Sequence, residues 1–561
     1  MNKNKAISTF INVLYLLTAS TALHAQEAPA VAGSWLSILP PLVAIGFALL
    51  MKKVIPALFL GIWLGSWMIQ GLSLSGLWLG LLDSFQRYVL NAMANSDHAA
   101  IILFSLMIGG MVGIISRNGG MQGIVNWIVK WADSMRHARL ATAWMGLAIF
   151  FDDYANSLVV GNTMRPVTDA KRVSRAKLAY IVDSTAAPVA SIALVTTWIG
   201  YEVGLIGESI SQMPDIDESA YLVFLNTLPY SFYPVLAIAF VFMVAASGRD
   251  FGPMLDSERR AFRHGAEPAD AHLGGDGEAT DDQPRPVDGK PQRALNAVIP
   301  VVVLVFSVLA GLYITGKAAV DAPDPTLRDI IGGADSYKAL MWGSFLGVLS
   351  AVALTLGQRI MDLEATVNAW YRGLRSMLMA IIILLLAWAL GEITTVLDTS
   401  EFLRAALGDS VPAFALPALV FLVAALTAFA TGSSWGAMGI LLPLTIPTTW
   451  AVLQSSGMAT PEHMHIFYSA IAAVLAGSVW GDHCSPISDT TILSSLASGC
   501  DHIEHVRTQL PYALVVGLVA ILAGSLPVAL GLPWWLGMLA GLALLWLLLR
   551  NLGRRSDVAA D

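Results

Sequence analysis

The stretch from Gly481 to Thr491 reads Gly-Asp-His-Cys-Ser-Pro-Ile-Ser-Asp-Thr-Thr, and it lies inside an otherwise apolar segment, 464–498. A charged side chain at membrane depth costs several kcal/mol, so such residues are rare and usually functional. Irregular backbone at that depth is tolerated only where it is buried in protein or lines a cavity. Because a proline disfavours the continuation of a helix, we predict a helix that is broken here, with Asp482 and Asp489 inside the bilayer.

The composition assigns the chain to the membrane proteins. Of its 561 residues, 56% are hydrophobic and only 13% are charged, and the mean hydropathy is +0.66. A soluble protein carries roughly 25% charged residues, and the apolar runs here are long enough to cross about 30 Å of hydrocarbon. The sequence has no P-loop and no zinc-ligand spacing, which argues against an ATP-driven pump and a zinc enzyme.

The N-terminus has the layout of a secretory signal. Lys3 and Lys5 precede an apolar run over 7–17, and small and then polar residues follow, so we predict a signal peptide over 1–25. An uncleaved first helix is the alternative. The later apolar runs predict about eleven full crossings: 35–51, 54–70, 99–116, 178–200, 230–247, 295–315, 337–356, 377–397, 464–498, 510–528 and 533–550.

The orientation follows from Lys and Arg, which favour the cytoplasmic side in short loops. Five loops are basic, so we place them in the cytoplasm together with the C-terminus: 52–53, 117–139, 165–177, 359–375 and 550–555. The loop 201–229 has acidic residues but no Lys or Arg, so we place it in the periplasm. We therefore predict a multi-pass protein of the bacterial inner membrane.

Two further apolar segments are interrupted by polar residues. Basic loops flank 139–164 on both sides, so a re-entrant hairpin that enters from the cytoplasm fits it better than a crossing. The segment 412–447 fits a second hairpin, which enters from the periplasm. Each half then holds a hairpin followed by a helix that we predict to be broken, at 183–188 and at 481–491. This pattern predicts an all-α, inverted-topology repeat whose two broken helices meet near the midplane.

A polar stretch, 248–294, divides the chain. It is rich in Gly, Pro, Asp and Arg and has no apolar period, so we predict a disordered cytoplasmic linker. The first transmembrane half is then 35–247, the second is 295–550, and 551–561 is a cytoplasmic tail.

Carboxylates and hydroxyls gather at the interruptions. A hard cation such as Na⁺ needs oxygen ligands in place of its hydration shell, and a carboxylate there can hold either a proton or the cation. We therefore predict an ion-binding site in which Asp482 or Asp489 exchanges the proton. The predicted Na⁺-binding residues are Asp152, Asp153, Asn156, Asp183, Ser184, Thr185, Ser433, Ser434, Asp482, Ser485, Asp489 and Thr490.

Each of these features also has a structural interpretation. Asp152 and Asp153 could be solvated at the membrane interface, and Asp183 could cap a helix. His483 could relay protons or serve only in polar packing. The Ser/Gly-rich tip at 431–436 could allow close helix packing and nothing more.

The same stretches resemble the NhaC-type Na⁺/H⁺ antiporters. Residues 477–495 read Gly-Ser-Val-Trp-Gly-Asp-His-Cys-Ser-Pro-Ile-Ser-Asp-Thr-Thr-Ile-Leu-Ser-Ser, which is similar to the motif of that family, and 150–156 and 430–436 fit it as well. The resemblance covers most of the chain from about residue 35 to 530. It implies exchange of Na⁺ for H⁺ by a member of the ion-transporter group with paired re-entrant hairpins. Relatives of this type include exchangers of malate against lactate, and others for amino acids.

We therefore expect a secondary transporter that exchanges Na⁺ or Li⁺ for H⁺, with no cofactor and no enzymatic reaction. Its expected partners are Na⁺, H⁺ and the lipid bilayer, nucleic acid is not among them, and a homodimer stays open. The alternative is a Na⁺- or H⁺-coupled exchanger of organic acids or amino acids. An intramembrane hydrolase with an aspartate dyad is a third hypothesis, but mirrored broken elements favour alternating access.

Overall fold

The computed structural model describes residues 31–51, 53–211, 213, 215–216, 218–265, 286–321, 325–399, 401–402 and 411–556. The predicted signal peptide at 1–25 lies outside these residues, as do 266–285 of the predicted linker and 557–561 of the tail.

Helices dominate both halves of the described chain, which confirms the all-α prediction. The helices of the first half are α1 (Leu39–Met51), α2 (Val54–Ile69), α3 (Leu74–Asp83), α4 (Leu90–Ala94), α5 (Ser96–Arg117), α6 (Gly120–Ile128), α7 (Met135–Ala148), α8 (Asp153–Ala170), α9 (Arg175–Ala190), α10 (Ile199–Ile210), α11 (Ala220–Thr227) and α12 (Phe232–Ser247). The middle segment contains β1 (Arg249–Asp250) and α13 (Gly252–His264). The second half contains α14 (Leu295–Ala319), α15 (Leu327–Gly332), α16 (Ser336–Gly357), α17 (Leu363–Ser376), α18 (Leu378–Val396), α19 (Leu416–Thr431), α20 (Ser434–Ser455), α21 (Met464–Cys484), α22 (Asp489–Ser498), α23 (His502–Val519), α24 (Leu526–Ala529), α25 (Trp534–Leu552) and β2 (Arg554–Arg555).

The lengths and apolar character of these helices confirm a multi-pass membrane protein. In the described part of the chain, nine helices are long and apolar enough to cross a membrane, or ten if one bent pair counts as a single span. That pair, Ala220–Tyr230 and Phe232–Ser247, bends by 50°. The count of eleven crossings stays a prediction. Two predicted crossings near the N-terminus correspond to shorter apolar helices, Trp35–Ala48 and Val54–Ile69. Both arms of the second predicted hairpin, Ala413–Thr431 and Ser434–Ser455, are instead long enough to cross.

The break predicted in the second half is confirmed. α21 ends at Cys484 and α22 begins at Asp489. Ser485 has φ −84° and ψ 126°, the extended backbone that a following proline imposes. Ser488 then caps α22, because its side chain accepts a hydrogen bond from the N–H of Thr491 at 3.3 Å.

The break predicted in the first half is wrong in position. Residues 183–188 lie within α9, and the chain leaves the helix only at the irregular segment 191–198. Pro188 lacks one N–H in the last turn, so the helix ends just beyond it. Asp183 is therefore inside a helix, and the hypothesis that it is an N-cap is wrong as well.

Short turns join α7 to α8 and α19 to α20, where the two hairpins are predicted. The second turn is tightly packed. Gly432 has φ +66°, and a Cβ on it would lie 2.4 Å from the carbonyl oxygen of Ile487, so only glycine fits there. This turn therefore rests on the break between α21 and α22. The re-entrant geometry and the inverted repeat stay predictions.

The middle segment begins with an ordered layer, so the prediction of disorder over 248–294 is wrong for its first part. β1 pairs antiparallel with β2, with Arg249 opposite Arg555. α13 follows, and its buried Glu258 accepts a bond from Nη2 of Arg139 on α7 at 2.5 Å. Ser556 covers this pair, since its hydroxyl lies 3.5 Å from the same nitrogen.

A second buried ion pair joins this layer to α9. Lys177 donates to the carboxylate of Asp250, and the hydroxyl of Tyr512 donates to the same oxygen at 2.6 Å. Burial alone would raise the pKa of Asp250, but the ammonium of Lys177 and the guanidinium of Arg139 lower it below its ordinary value. The partners of α13 and β1 lie far away along the chain, where local composition could not indicate them.

The predicted periplasmic loop at 201–229 is wrong for 201–210 and 220–227, which are helical. Glu202 lies on α10 and is fully buried. Apart from this one charge, the run is apolar and long enough for a short buried helix. The acidic residues further along the segment led to its prediction as a loop.

Candidate functional site

Two adjacent carboxylates begin α8. Asp152 is the N-cap, and its Oδ1 accepts a hydrogen bond from the N–H of Ala155 at 2.7 Å. Asp153 follows, and both of its carboxylate oxygens are buried. The indole N–H of Trp198 lies near them, but no described residue makes a hydrogen bond of good geometry to either oxygen. The exposed fractions are 4% for Asp152 and 1% for Asp153, so the hypothesis of a solvated pair is wrong.

Asp489 begins α22 as Asp153 begins α8. The hydroxyl of Tyr154 donates to Oδ2 of Asp489, and the N–H of Thr490 donates to Oδ1 at 2.9 Å. Asp153 is close enough to Asp489 for their charges to interact. The positive ends of two helix dipoles therefore meet at these carboxylates, which favours negative charge there.

α8 and α22 also pack closely beyond their first residues. The hydroxyls of Ser157 and Ser494 are 3.4 Å apart. A Cβ on Gly161 would lie 2.6 Å from Cβ of Ala497. This contact holds the two carboxylate-bearing helix ends in fixed relation.

Asp482 accepts two hydroxyl hydrogen bonds at the end of α21. Ser488 donates to its Oδ1 at 2.8 Å, and Thr490 donates to its Oδ2 at 2.7 Å. The side chain is fully buried. Thr490 thus contacts Asp482 through its hydroxyl and Asp489 through its backbone, which brings three of the predicted site residues together.

Asp183 is the fifth carboxylate, and it is fully buried on α9. Gln509 donates to its Oδ2 at 2.5 Å and Thr491 donates to the same oxygen at 3.3 Å. Ser494 donates to Oδ1, also at 3.3 Å. Asp183 therefore ties α9 to both α22 and α23.

Asn156 and Thr185 support the surrounding backbone. Asn156 donates from Nδ2 to the carbonyl oxygens of Gly146, Ile149 and Thr185, at 2.7, 3.1 and 3.1 Å. Its Oδ1 is buried and has no partner among the described residues. Thr185 donates back to the carbonyl of Ile181 at 2.7 Å and packs on Gly146. The neighbouring Ser184 is buried on the same helix.

Ser433 and Ser485 hold the turn between α19 and α20 against the break after α21. Ser433 caps α20 by accepting from the N–H of Gly436 at 3.2 Å, and Ser485 donates to the carbonyl of Phe429 at 2.7 Å. Ser434 is buried beside them. Among the described residues, no hydrogen bond joins Ser433 or Ser485 to the five carboxylates, so here the structure favours the packing interpretation of the tip.

His483 uses both ring nitrogens in packing. Nε2 lies 3.2 Å from the carbonyl oxygen of Asp183, which only accepts, so Nε2 carries the proton. Nδ1 lies 3.0 Å from the hydroxyl of Tyr233, which then donates to it. This arrangement favours polar packing of a neutral His483 between α9, α12 and α21.

The predicted set of site residues omits Ser488, Thr491 and Ser494, which donate to Asp482 or Asp183, and it also omits Tyr154, His505 and Gln509. Tyr154 follows Asp153 directly, but its bond to Asp489 depends on tertiary structure. His505 and Gln509 were missed because they lie between the predicted crossings 464–498 and 510–528, whereas α23 begins at His502 and buries both side chains. The two residues are four positions apart, at the start of a segment that becomes apolar. This spacing could have indicated that both side chains lie on one face of a helix.

Every fixed charge at the site is negative. Among the described residues, no Lys or Arg forms an ion pair with Asp152, Asp153, Asp183, Asp482 or Asp489. The formal charge of such a site is negative, which favours cations and protons over anions.

The sequence model of the Na⁺/H⁺ antiporter family matches residues 189–525, which is more than half of the chain. The chain belongs to this family. The match includes the broken helix and its carboxylates Asp482 and Asp489, so the resemblance seen in the sequence is confirmed. Because the members of this family are antiporters, this protein is a transporter and not an enzyme.

The chain is similar to three further proteins along part or most of its length. This antiporter-family chain is 31% identical over 507 residues to an uncharacterised protein of Haemophilus influenzae, a match covering 90% of this chain and 93% of the relative. It is 31% identical over 201 residues to the arginine/ornithine antiporter ArcD of Halobacterium salinarum, covering 34% and 36% of the two chains. It is 29% identical over 177 residues to the malate-2H⁺/Na⁺-lactate antiporter of Bacillus subtilis, covering 31% and 33%.

Proposed function

We propose that the protein exchanges Na⁺ or Li⁺ for H⁺ across the bacterial inner membrane, with its C-terminus in the cytoplasm. The observation that carries this proposal is the unpartnered carboxylate of Asp153, which is buried beside Asp152 and Asp489.

An unpaired buried charge is costly, so the Asp153 carboxylate needs either a proton or a bound cation. The two occupants exclude one another, and their competition is the coupling that an antiporter needs. Asn156 supports this interpretation, because its unpartnered Oδ1 is an additional neutral oxygen ligand of the kind that Na⁺ prefers.

The other carboxylates have different surroundings. Asp482 accepts from two hydroxyls and Asp489 accepts from a tyrosine, and such donors stabilise a charged carboxylate. We therefore propose that Asp153 exchanges the proton, that the charged Asp489 beside it helps to hold the cation, and that Asp482 fixes the geometry of the break. This assigns to Asp153 the proton exchange that the sequence suggested for Asp482 or Asp489.

Exchange of a cationic amino acid is the second candidate. A site whose fixed charges are all negative suits an organic cation as well as Na⁺, and one relative is an arginine/ornithine antiporter. The same charges disfavour organic acids such as malate and lactate, because no described Lys or Arg is paired with the site carboxylates to bind a dianion.

Everted vesicles with a pH-sensitive dye test the proposal. Added Na⁺ or Li⁺ should dissipate a preformed pH gradient in the wild type, and Asp153→Asn should abolish this response. Asp133→Asn is the matched control, since that carboxylate is 76% exposed on the surface. A gradient that responds to arginine but to neither Na⁺ nor Li⁺ would replace the first candidate by the second.

A further inference from the structure

A chain of hydrogen bonds leads from Asp183 to the protein surface. His505 of α23 is fully buried, with Nε2 at 3.0 Å from Oε1 of Gln509 and at 3.9 Å from Oδ2 of Asp183. Its Nδ1 lies 2.8 Å from the hydroxyl of Ser495. The same hydroxyl lies 3.1 Å from Nδ1 of His502, which is partly exposed at the start of α23.

The acceptors at both ends fix which nitrogens carry protons. Nε2 of His502 lies 2.7 Å from the carbonyl oxygen of Pro486, so it must donate. The amide nitrogen of Gln509 faces two acceptors, Asp183 and the carbonyl of His483, so the amide oxygen faces His505. Nε2 of His505 must therefore donate as well.

The centre of the chain has fewer protons than acceptors, since one hydroxyl proton faces three of them. The single hydroxyl proton of Ser495 faces three acceptors: Nδ1 of His502, Nδ1 of His505 and the carbonyl oxygen of Thr491, which lies 2.7 Å away. One extra proton on either imidazole turns the Nδ1 of that ring into a donor to the serine oxygen. The serine hydroxyl can then donate to the Nδ1 of the other histidine. The cluster is thus built to accept a mobile proton.

We propose that His502, Ser495 and His505 form a proton relay between the surface and Asp183. Protonated His502 gives its Nδ1 proton to Ser495 while Ser495 passes its own proton to Nδ1 of His505. His505 then releases the proton on Nε2 to Asp183 after a small ring movement across the 3.9 Å gap, and Gln509 keeps the ring aimed at that carboxylate. Reorientation of the His505 ring resets the relay.

The relay reaches the proposed ion site through α22. Asp183 accepts hydrogen bonds from Thr491 and Ser494 on that helix, and its charge interacts with those of Asp482 and Asp489. Asp183 and His502 are the charged or titratable groups that interact with His505.

Other charges near the start of α23 are paired away from the relay. Glu504 binds Arg260 of α13 at 2.8 Å and Arg507 at 3.0 Å. Arg175 at the start of α9 binds Asp169 at 3.1 Å. The orientation predicted from the basic loops puts this surface in the cytoplasm.

The relay rests on the proposed exchange of a cation for protons, so its test separates two fluxes in proteoliposomes. One is Na⁺ uptake driven by a pH gradient, and the other is exchange of radioactive for unlabelled Na⁺ at equal pH, which moves no protons. His505→Gln should slow the proton-coupled flux on the order of a hundredfold, the usual contribution of a positioned acid–base group. Na⁺ self-exchange and the Na⁺ concentration for half-maximal rate should stay unchanged.

The control is His137→Gln, which removes a histidine that is 55% exposed and should leave both fluxes unchanged. Equal loss of both fluxes in His505→Gln, or no loss at all, would overturn the relay alone. A wild-type protein without any Na⁺ flux would overturn the proposed function and the relay with it. His502→Ala is the second variant: imidazole in the medium should restore its slowed proton-coupled flux, and failure to restore it would contradict entry at His502.

Discussion

Tyr154 donates a hydrogen bond to the carboxylate of Asp489, 335 residues further along the chain. This bond joins the start of α8 to the start of α22, and so connects the two halves at the carboxylates. It also fixes the side chain that follows the unpartnered Asp153.

Tyr154→Phe removes only this donor. A hydrogen bond to a charged group contributes about 1.5–3 kcal/mol, so we expect the exchange rate to fall by roughly 10- to 100-fold. Initial rates in proteoliposomes measure this. Tyr371→Phe, which changes an exposed tyrosine in the same way, should keep the wild-type rate. Equal rates in both variants would show that the Asp489 contact is dispensable.

Thr490→Val keeps the shape of the side chain but leaves Oδ2 of Asp482 without its hydroxyl donor. An unsatisfied buried polar group costs about 1–3 kcal/mol, so the thermal midpoint in detergent should fall. Thr490→Ser retains the hydroxyl and should restore most of the loss. A Val variant as stable as the Ser variant would contradict a charged, hydroxyl-bound Asp482.

Gly432→Ala and Gly457→Ala form a matched pair, because both glycines have φ +66°. At Gly457 nothing lies within 4 Å of an added Cβ, so only the left-handed backbone adds a cost, of about 1–2 kcal/mol. At Gly432 the added Cβ would also displace the carbonyl of Ile487 in the break after α21. We expect Gly432→Ala to lower both the thermal midpoint and transport, and Gly457→Ala to preserve transport.

Lys177→Met leaves Asp250 as a buried, unpaired charge. Breaking a buried pair in this way costs about 3–5 kcal/mol, whereas an exposed pair contributes about 0–1 kcal/mol. Arg260→Gln, which breaks the more exposed pair with Glu504, is the control. Thermal midpoints should therefore fall much further for Lys177→Met, and similar values would contradict a strong role for the buried pair.

The pH dependence of the same pair has a definite sign. The pKa of Asp250 is lowered in the folded protein, mainly by Lys177, even though burial opposes this. Its stabilising contribution is thus present above the ordinary carboxyl pKa and is lost as the pH falls through the lowered value. The difference in thermal midpoint between wild type and Asp250→Asn should shrink under acid conditions. A difference that is constant with pH would contradict a charged Asp250.

Local sequence predicted those features that depend on local chemistry. Pro486 disfavours a helical conformation of the residue before it, and Ser488 is a preferred N-cap, so the break after α21 could be predicted. Pro188 stands two residues before the end of α9, and the sequence did not show that the helix would end after this proline and not before it. The buried partners of Glu258 and Asp250 come from α7 and α9, so composition alone suggested a disordered linker.

The carboxylates of the site could be predicted individually because charge is rare in apolar segments. Their partners could not, since Gln509 reaches Asp183 across 326 residues. The unpartnered state of Asp153 is likewise visible only once the surrounding helices are in place.

The contact between Arg139 and Ser556 spans 417 positions of the chain. During synthesis the ribosome therefore exposes Arg139 long before the residue that covers it, and the ion pair with Glu258 is sealed only after β2 has emerged. The layer of β1, β2 and α13 is consequently completed only at the end of synthesis. A chain that stops before Arg554 therefore lacks both β2 and the hydroxyl that covers this ion pair.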